Sequence, residues 1–230
     1  MLSVVVPTYN ERENITELIK RIESALKGTK FEVIIVDDGS PDGTAEAAEE
    51  LNKLYGNIRV HRRHGKMGLA SAIMDGIELA SSKIVAVIDA DLQHPPEALL
   101  EMLRRIMEGN DLVVASRYVE GGGIEGWGRG RRLISKVARE LAHLLLPETR
   151  KVKDVMSGYF MLRRDILLGV KLDLKGYKIL LEILLKAKYR SVVEVPYTFK
   201  PRIRGESKLR FKEILNYLHL LLRLAMKGGS

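Results

Sequence analysis

Apolar and polar positions fall into repeating blocks along the first half of the chain. Short runs rich in Val, Ile and Leu stand at Leu2–Pro7, Phe31–Val36, Ile58–His61, Ile84–Ile88 and Leu112–Ser116. Ile84–Ile88 and Phe31–Val36 predict strands buried in the sheet, and Ile58–His61 a short third strand. Between them the apolar spacing changes to three and four. Ile15, Leu18, Ile19, Ile22 and Leu26 form one such stripe, which predicts a helix from about Glu11 to Leu26 with Asn10 as its cap. Further helices are expected over Thr44–Tyr55, from Gly68 to about Ala80, and over Pro96–Met107, where two prolines open the helix. This alternation predicts an α/β fold, with an open, mostly parallel sheet and helices on both faces.

The second half is less regular. Glycines at 121, 122, 123, 126, 128 and 130 predict a mobile loop over Tyr118–Gly130, placed to act as a lid. Helix is expected over Arg131–Leu146 and Tyr177–Ala187, and strand over Gly158–Arg163 and Val192–Phe199. Lys200, Arg202, Arg204 and Lys208 make a basic loop around Gly205. In the last helix Phe211, Ile214, Leu215, Leu218, Leu221, Leu222 and Ala225 share one side, with Arg210, Lys212, Arg223 and Lys227 beside them. Such a basic amphipathic helix either lies on an anionic bilayer or docks on the protein's own core. The chain thus divides into a globular unit over 1–208, an amphipathic helix over 209–227 and an appended Gly-Gly-Ser tail at 228–230.

Composition narrows the setting. With 230 residues, 46% hydrophobic, and no cysteine, the chain can bury one sizeable core without disulfides, and a reducing, cytoplasmic setting is expected. No charged leader precedes the first strand, and no apolar stretch is long enough for a bilayer span. A formal charge of +8 points to an anionic partner: nucleotide phosphate, lipid headgroup or nucleic acid.

The chemistry concentrates where strands end. Three of the expected strands run into Pro7-Thr8-Tyr9-Asn10-Glu11, Asp37-Asp38 and Asp89-Ala90-Asp91, and an open parallel sheet binds its ligands beyond those ends. Asp89, Asp91 and Gln93 crowd one strand-to-helix loop with hard oxygen donors. That set suits Mg²⁺ or Mn²⁺, which commonly bridges a carboxylate and the phosphates of a nucleotide. A calcium EF-hand is excluded, because His94 replaces the required glycine and Leu100 the terminal glutamate. Met67 after Lys66 rules out a Walker A loop, and neither H-E-x-x-H nor G-x-S-x-G occurs. The five histidines show no zinc-ligand spacing, and Trp127 in the glycine segment could cover a sugar or a lipid tail.

Val4-Val5-Val6-Pro7-Thr8-Tyr9-Asn10-Glu11, Val36-Asp37-Asp38-Gly39-Ser40 and Asp89-Ala90-Asp91-Leu92-Gln93, in this order and spacing, resemble the signature of the family 2 glycosyltransferases with the GT-A fold. Asp42-Gly43-Thr44, Gln93-His94-Pro95-Pro96, Ser116-Arg117-Tyr118 and the loop from Arg202 to Lys208 resemble the branch that makes dolichyl-phosphate mannose. The resemblance implies transfer of mannose from GDP-mannose to dolichyl (polyprenyl) phosphate at the cytoplasmic face of a membrane. Pro7, Tyr9, Glu11, Val36, Asp37 and Asp38 would line the guanosine pocket, with Asp89, Ala90 and Asp91 near ribose and diphosphate. It also implies that Asp89, Asp91 and Gln93 hold Mg²⁺ or Mn²⁺, that Arg117, Arg131 and Ser135 receive the lipid's phosphate, and that Arg202 and Lys208 close over the donor. Many relatives continue into transmembrane helices, so a membrane segment or partner outside this chain is a further expectation. Another donor such as UDP-glucose would use the same motifs. A non-catalytic basic module for membrane or nucleic acid would explain the charge but not three acid-bearing strand ends, so no nucleic-acid partner is expected.

Overall fold

The computed structural model describes residues 1–172, 178–201 and 211–227, apart from the side chains of 211–215 and 227. Its elements are β1 (Leu2–Thr8), α1 (Arg12–Ala25), β2 (Phe31–Asp37), α2 (Thr44–Tyr55), β3 (Ile58–Arg62), α3 (Leu69–Leu79), β4 (Ile84–Val87), α4 (Ala98–Met107) and β5 (Leu112–Ser116). These are followed by β6 (Gly123–Ile124), α5 (Arg129–Leu145), β7 (Phe160–Arg163), α6 (Ile179–Lys186), β8 (Val192–Pro196), β9 (Thr198–Phe199) and α7 (Phe211–Lys227).

Seven strands form the central sheet in the order β3-β2-β1-β4-β7-β5-β8, parallel except for β7. The inner strands are buried on both faces, and successive residues divide between them. Val5, Ile34, Val36, Val85 and Val87 pack toward α3, α5, α6 and α7. Val4, Val6, Val33, Ile35 and Ala86 pack toward α1, α2 and α4. Gly76 in α3 lies so close to β1 that an added Cβ would stand 2.3 Å from a Val5 methyl, which is why a helix interior tolerates glycine here.

The chain builds outward through β1, β2 and β3, then returns to place β4 on the other side of β1. That reversal opens a crevice at the carboxyl edge between β1 and β4. The ends of β1, β2, β4, β5 and β8 all lie on this edge, together with the residues that lead into antiparallel β7.

Three expectations need correction. Asn10 does not cap α1: it is left-handed at φ +60°, its N–H donates to Ser40 Oγ at 2.9 Å, and the helix begins from Glu11. The glycine segment is no free lid. Gly123 and Ile124 pair with β9, and a Cβ on Gly122 would stand 2.6 Å from the Ser116 carbonyl oxygen, so close packing requires glycine there. Nor is Val192–Phe199 one strand. Past Pro196, which has no N–H to extend the ladder, the chain leaves β5 and pairs with β6.

The last helix docks on the protein's own core. Tyr217, Leu220, Leu221 and Leu224 are buried, and the Tyr217 hydroxyl donates to the Ala138 carbonyl of α5 at 2.7 Å. Leu218, Leu222 and Met226, one helical turn apart, remain exposed. Among the described residues no helix is long and apolar enough to cross a membrane.

Candidate active site

The acid-bearing loop after β4 is shaped by one unusual residue. Leu92 has φ +61°, a left-handed conformation that leucine rarely adopts, and its side chain is buried. Strain of this kind costs about 1–3 kcal/mol and collects at functional sites. Here it sits between Asp91 and Gln93. The Gln93 N–H donates to Asp91 Oδ1 at 3.1 Å, and Gln93 Nε2 donates to the Lys200 carbonyl at 3.1 Å. Lys200 N–H returns a bond to the Gln93 carbonyl. Two carboxylates and one amide oxygen on the wall of a single cavity fit a hard divalent cation.

Asp89 is seated by its neighbours. An added Cβ on Gly158 would stand 3.1 Å from Asp89 Oδ2, so glycine leaves the carboxylate its room. The Asp89 N–H donates to His94 Nδ1 at 3.4 Å, which puts the imidazole proton on Nε2. His94 stacks on Tyr159 at 5.2 Å and meets the edges of Tyr197 and Phe199. Burial in this aromatic cluster lowers its pKa to about 4, so the 3.5 Å approach of Asp89 Oδ2 is not an ion pair at neutral pH.

A histidine lowered in the folded state binds protons more readily when unfolded, so acid favours unfolding. Stability should be level above about pH 6.5 and fall by roughly 3 kcal/mol as pH drops from there to about 4. Thermal unfolding in excess chelator across this range should show the slope, and His94→Phe should flatten it. Equal slopes for both proteins would refute the assignment.

Cations share the cavity with the acids. The cavity, about 650 Å³, is also bordered by Arg117, Arg131, Ser135 and Lys178. Arg117 is held by buried Asp154 through Nε and Nη2, each at 2.7 Å. Burial alone would lower the Arg117 pKa, but the Asp154 carboxylate outweighs it and the net shift is upward. The Arg131 guanidinium lies 4.2 Å over Trp127, which meets the edge of Phe199. Ser135 shares a 2.8 Å hydrogen bond with the Tyr118 hydroxyl, and Lys178 donates to the Met156 carbonyl at 3.2 Å. Asp154 and Lys178 escaped the sequence reading, because neither belongs to a motif, and Tyr118 was given no role beyond its place beside Arg117. The same cavity has apolar lining from Leu133 and Val137 of α5 and Leu218 of α7.

The ends of β1 and β2 lie on the same sheet edge. Asp37 accepts from the Thr8 hydroxyl and from the Ser40 N–H and hydroxyl at 2.6–2.9 Å. Asp38 pairs with buried Arg63 and accepts the Gly68 N–H at 3.0 Å. Both carboxylates therefore shape the loops. Pro7 and Val36 are buried in the strands, while Tyr9 lies under Lys66 Nζ at 4.1 Å and Glu11 accepts from Asn14 at 2.7 Å. Ala90 is buried beside Asp89. Arg202 and Lys208 lie outside the described residues.

Residues 3–169 match the sequence model of glycosyl transferase family 2. A dolichol-phosphate mannosyltransferase from Pyrococcus furiosus is 49% identical over 229 residues, covering 100% of this chain and 65% of that protein. The chain therefore spans just under two thirds of that relative. A dolichol-phosphate mannosyltransferase from Saccharomyces cerevisiae is 36% identical, over 96% of this chain and 86% of its own length. Among solved structures, glucosyl-3-phosphoglycerate synthase from Mycobacterium tuberculosis, in complex with Mn²⁺, UDP and glucosyl-3-phosphoglycerate, is similar with a TM-score of 0.73. It covers 99% of this chain and 79% of that one at 22% identity, which is a likeness of fold.

Proposed function

The chain belongs to glycosyl transferase family 2 and has the GT-A fold, and from that premise we propose that it transfers mannose from GDP-mannose to a polyprenyl phosphate such as dolichyl phosphate. The observation that carries this reading is one cavity lined by three kinds of group: acids at the switch point, arginines with a lysine, and apolar side chains. A nucleotide sugar with its metal suits the acids, and a phosphate on a hydrocarbon tail suits the cations and the apolar side chains. The relatives' names support both halves.

A phosphate monoester, with a second pKa of about 6, is already largely dianionic at neutral pH, so the acceptor needs no dedicated base. One of its oxygens attacks the anomeric carbon as the bond from that carbon to the diphosphate breaks, and GDP departs. Asp89, Asp91 and Gln93 would hold Mg²⁺ or Mn²⁺, which when bound offsets the charge that builds on the leaving diphosphate. The arginines hold the dianion in line.

The reading includes docking on a membrane surface. Leu133, Ile134, Val137 and Leu144 of α5 are exposed, near Leu218, Leu222 and Met226 of the adjacent α7, with Arg129, Arg132 and Lys136 beside them. Apolar side chains rimmed by cations suit an anionic leaflet. Val137→Glu with Leu218→Glu should weaken co-sedimentation with anionic liposomes by roughly tenfold or more. Unchanged co-sedimentation of the folded variant would remove the docking surface.

The function is tested by incubating the purified chain with polyprenyl phosphate and several nucleotide sugars, and weighing the lipid product. A hexose added only from GDP-mannose supports the proposal. A product from UDP-glucose alone reassigns the donor, and no product from any donor overturns the reading.

A further inference from the structure

We propose that Asp154 is a positioning residue whose buried carboxylate aims the Arg117 guanidinium at the acceptor phosphate, an inference that rests on the reading of Arg117 as a phosphate ligand. Asp154 is fully buried, in the segment that leads into β7. Its Oδ2 accepts both the Arg117 backbone N–H at 2.9 Å and Nε–H at 2.7 Å, while Oδ1 accepts Nη2–H at 2.7 Å. One carboxylate thus fixes the main chain and the side chain of the same arginine. Among the described residues Arg117 Nη1 has no hydrogen-bond partner, and Arg117 borders the cavity.

The carboxylate is itself held. Asp154 N–H donates to Glu194 Oε1 at 2.9 Å and Lys153 N–H donates to Oε2 at 2.8 Å. Glu194 belongs to β8, which pairs with the strand that carries Arg117 on its end. The grip therefore runs from the sheet through Glu194 and Asp154 to the guanidinium, so the direction of Nη1 is set before any ligand arrives.

Stability is a poor explanation for such a pair. Removing two charges from water costs about as much as their attraction returns, and apolar residues would fill the same space. The pair is also neutral as a unit, so it adds little attraction for a dianion. What it provides is a donor in a fixed direction, the kind of preorganisation that makes a bound geometry reactive.

The test uses the full chain with GDP-mannose as donor and polyprenyl phosphate as the varied acceptor. Four proteins are compared: wild type, Asp154→Asn, Arg117→Ala and the double variant. Asp154→Asn should lower kcat/KM for the acceptor by about 30-fold, mostly through KM, with donor affinity by calorimetry within about twofold. In the Arg117→Ala background the same change should cost less than about twofold, because the group it aims is gone. An equal loss in both backgrounds, or a parallel loss of donor affinity, makes Asp154 merely structural and overturns the proposal. If Arg117→Ala alone leaves acceptor kinetics normal, the phosphate-ligand reading itself fails, which the single variant shows independently. Should Asp154→Asn not fold, Glu194→Gln loosens the same grip from further away. An acceptor-selective loss of about threefold or more there supports the proposal, and no selective loss overturns it.

Discussion

Asp91→Ala is expected to lower sugar transfer by about 10²- to 10³-fold with the fold intact, and excess chelator should do the same to the unaltered protein. The expectation begins with a conflict of charge. Asp89 and Asp91 border the same cavity that would receive a diphosphate, yet like charges repel and the loop between them contributes no cation. A bound dication reconciles the two. Asp91 is buried, its Oδ1 is oriented by the Gln93 N–H, and the left-handed Leu92 holds that turn in place. Removing the carboxylate removes a ligand and about 1 kcal/mol of hydrogen bonding, too little to unfold a domain of this size. Added Mn²⁺ should restore the chelated wild type and leave Asp91→Ala inactive. Full turnover of the variant in chelator would end the metal assignment.

How much of this was legible in the sequence depends on what kind of contact each element makes. β1, β2 and β5 are buried on both faces, so their apolar runs mark them almost residue for residue, and α2 begins and ends where Thr44 and Tyr55 predict. The direction of β7 could not be read, because Phe160–Arg163 is equally apolar whichever way it pairs. β6 and β9 are too short for any periodicity. In the site, the acid loop stood out because its residues are neighbours in sequence. The arginine's partner did not: Asp154 lies 37 positions from Arg117 and is an unremarkable single acid until the sheet closes. The exposed aliphatic residues of α5 were hidden for a different reason. Leu133, Ile134 and Val137 fit an ordinary amphipathic stripe, and only the packed structure leaves them facing outward.

Arg131→Ala should reduce transfer to polyprenyl phosphate by about 10²- to 10³-fold while donor affinity stays within a few fold. Arg117 is held by Asp154, and the Arg131 guanidinium lies over the face of Trp127, an aromatic contact that orients it. Trp127 in turn leans on Phe199 of β9, so the platform is tied to the strand pair that replaces the expected lid. Ser135, one helical turn further along α5, borders the same cavity. A planar fork can grip two phosphate oxygens, and a lysine cannot, so Arg131→Lys should recover only part of the lost rate. Steady-state kinetics with the acceptor varied, beside calorimetry with GDP-mannose, separate the possibilities. Normal acceptor kinetics in Arg131→Ala, or a collapse of donor binding that accounts for the whole loss, would place Arg131 on the wrong substrate.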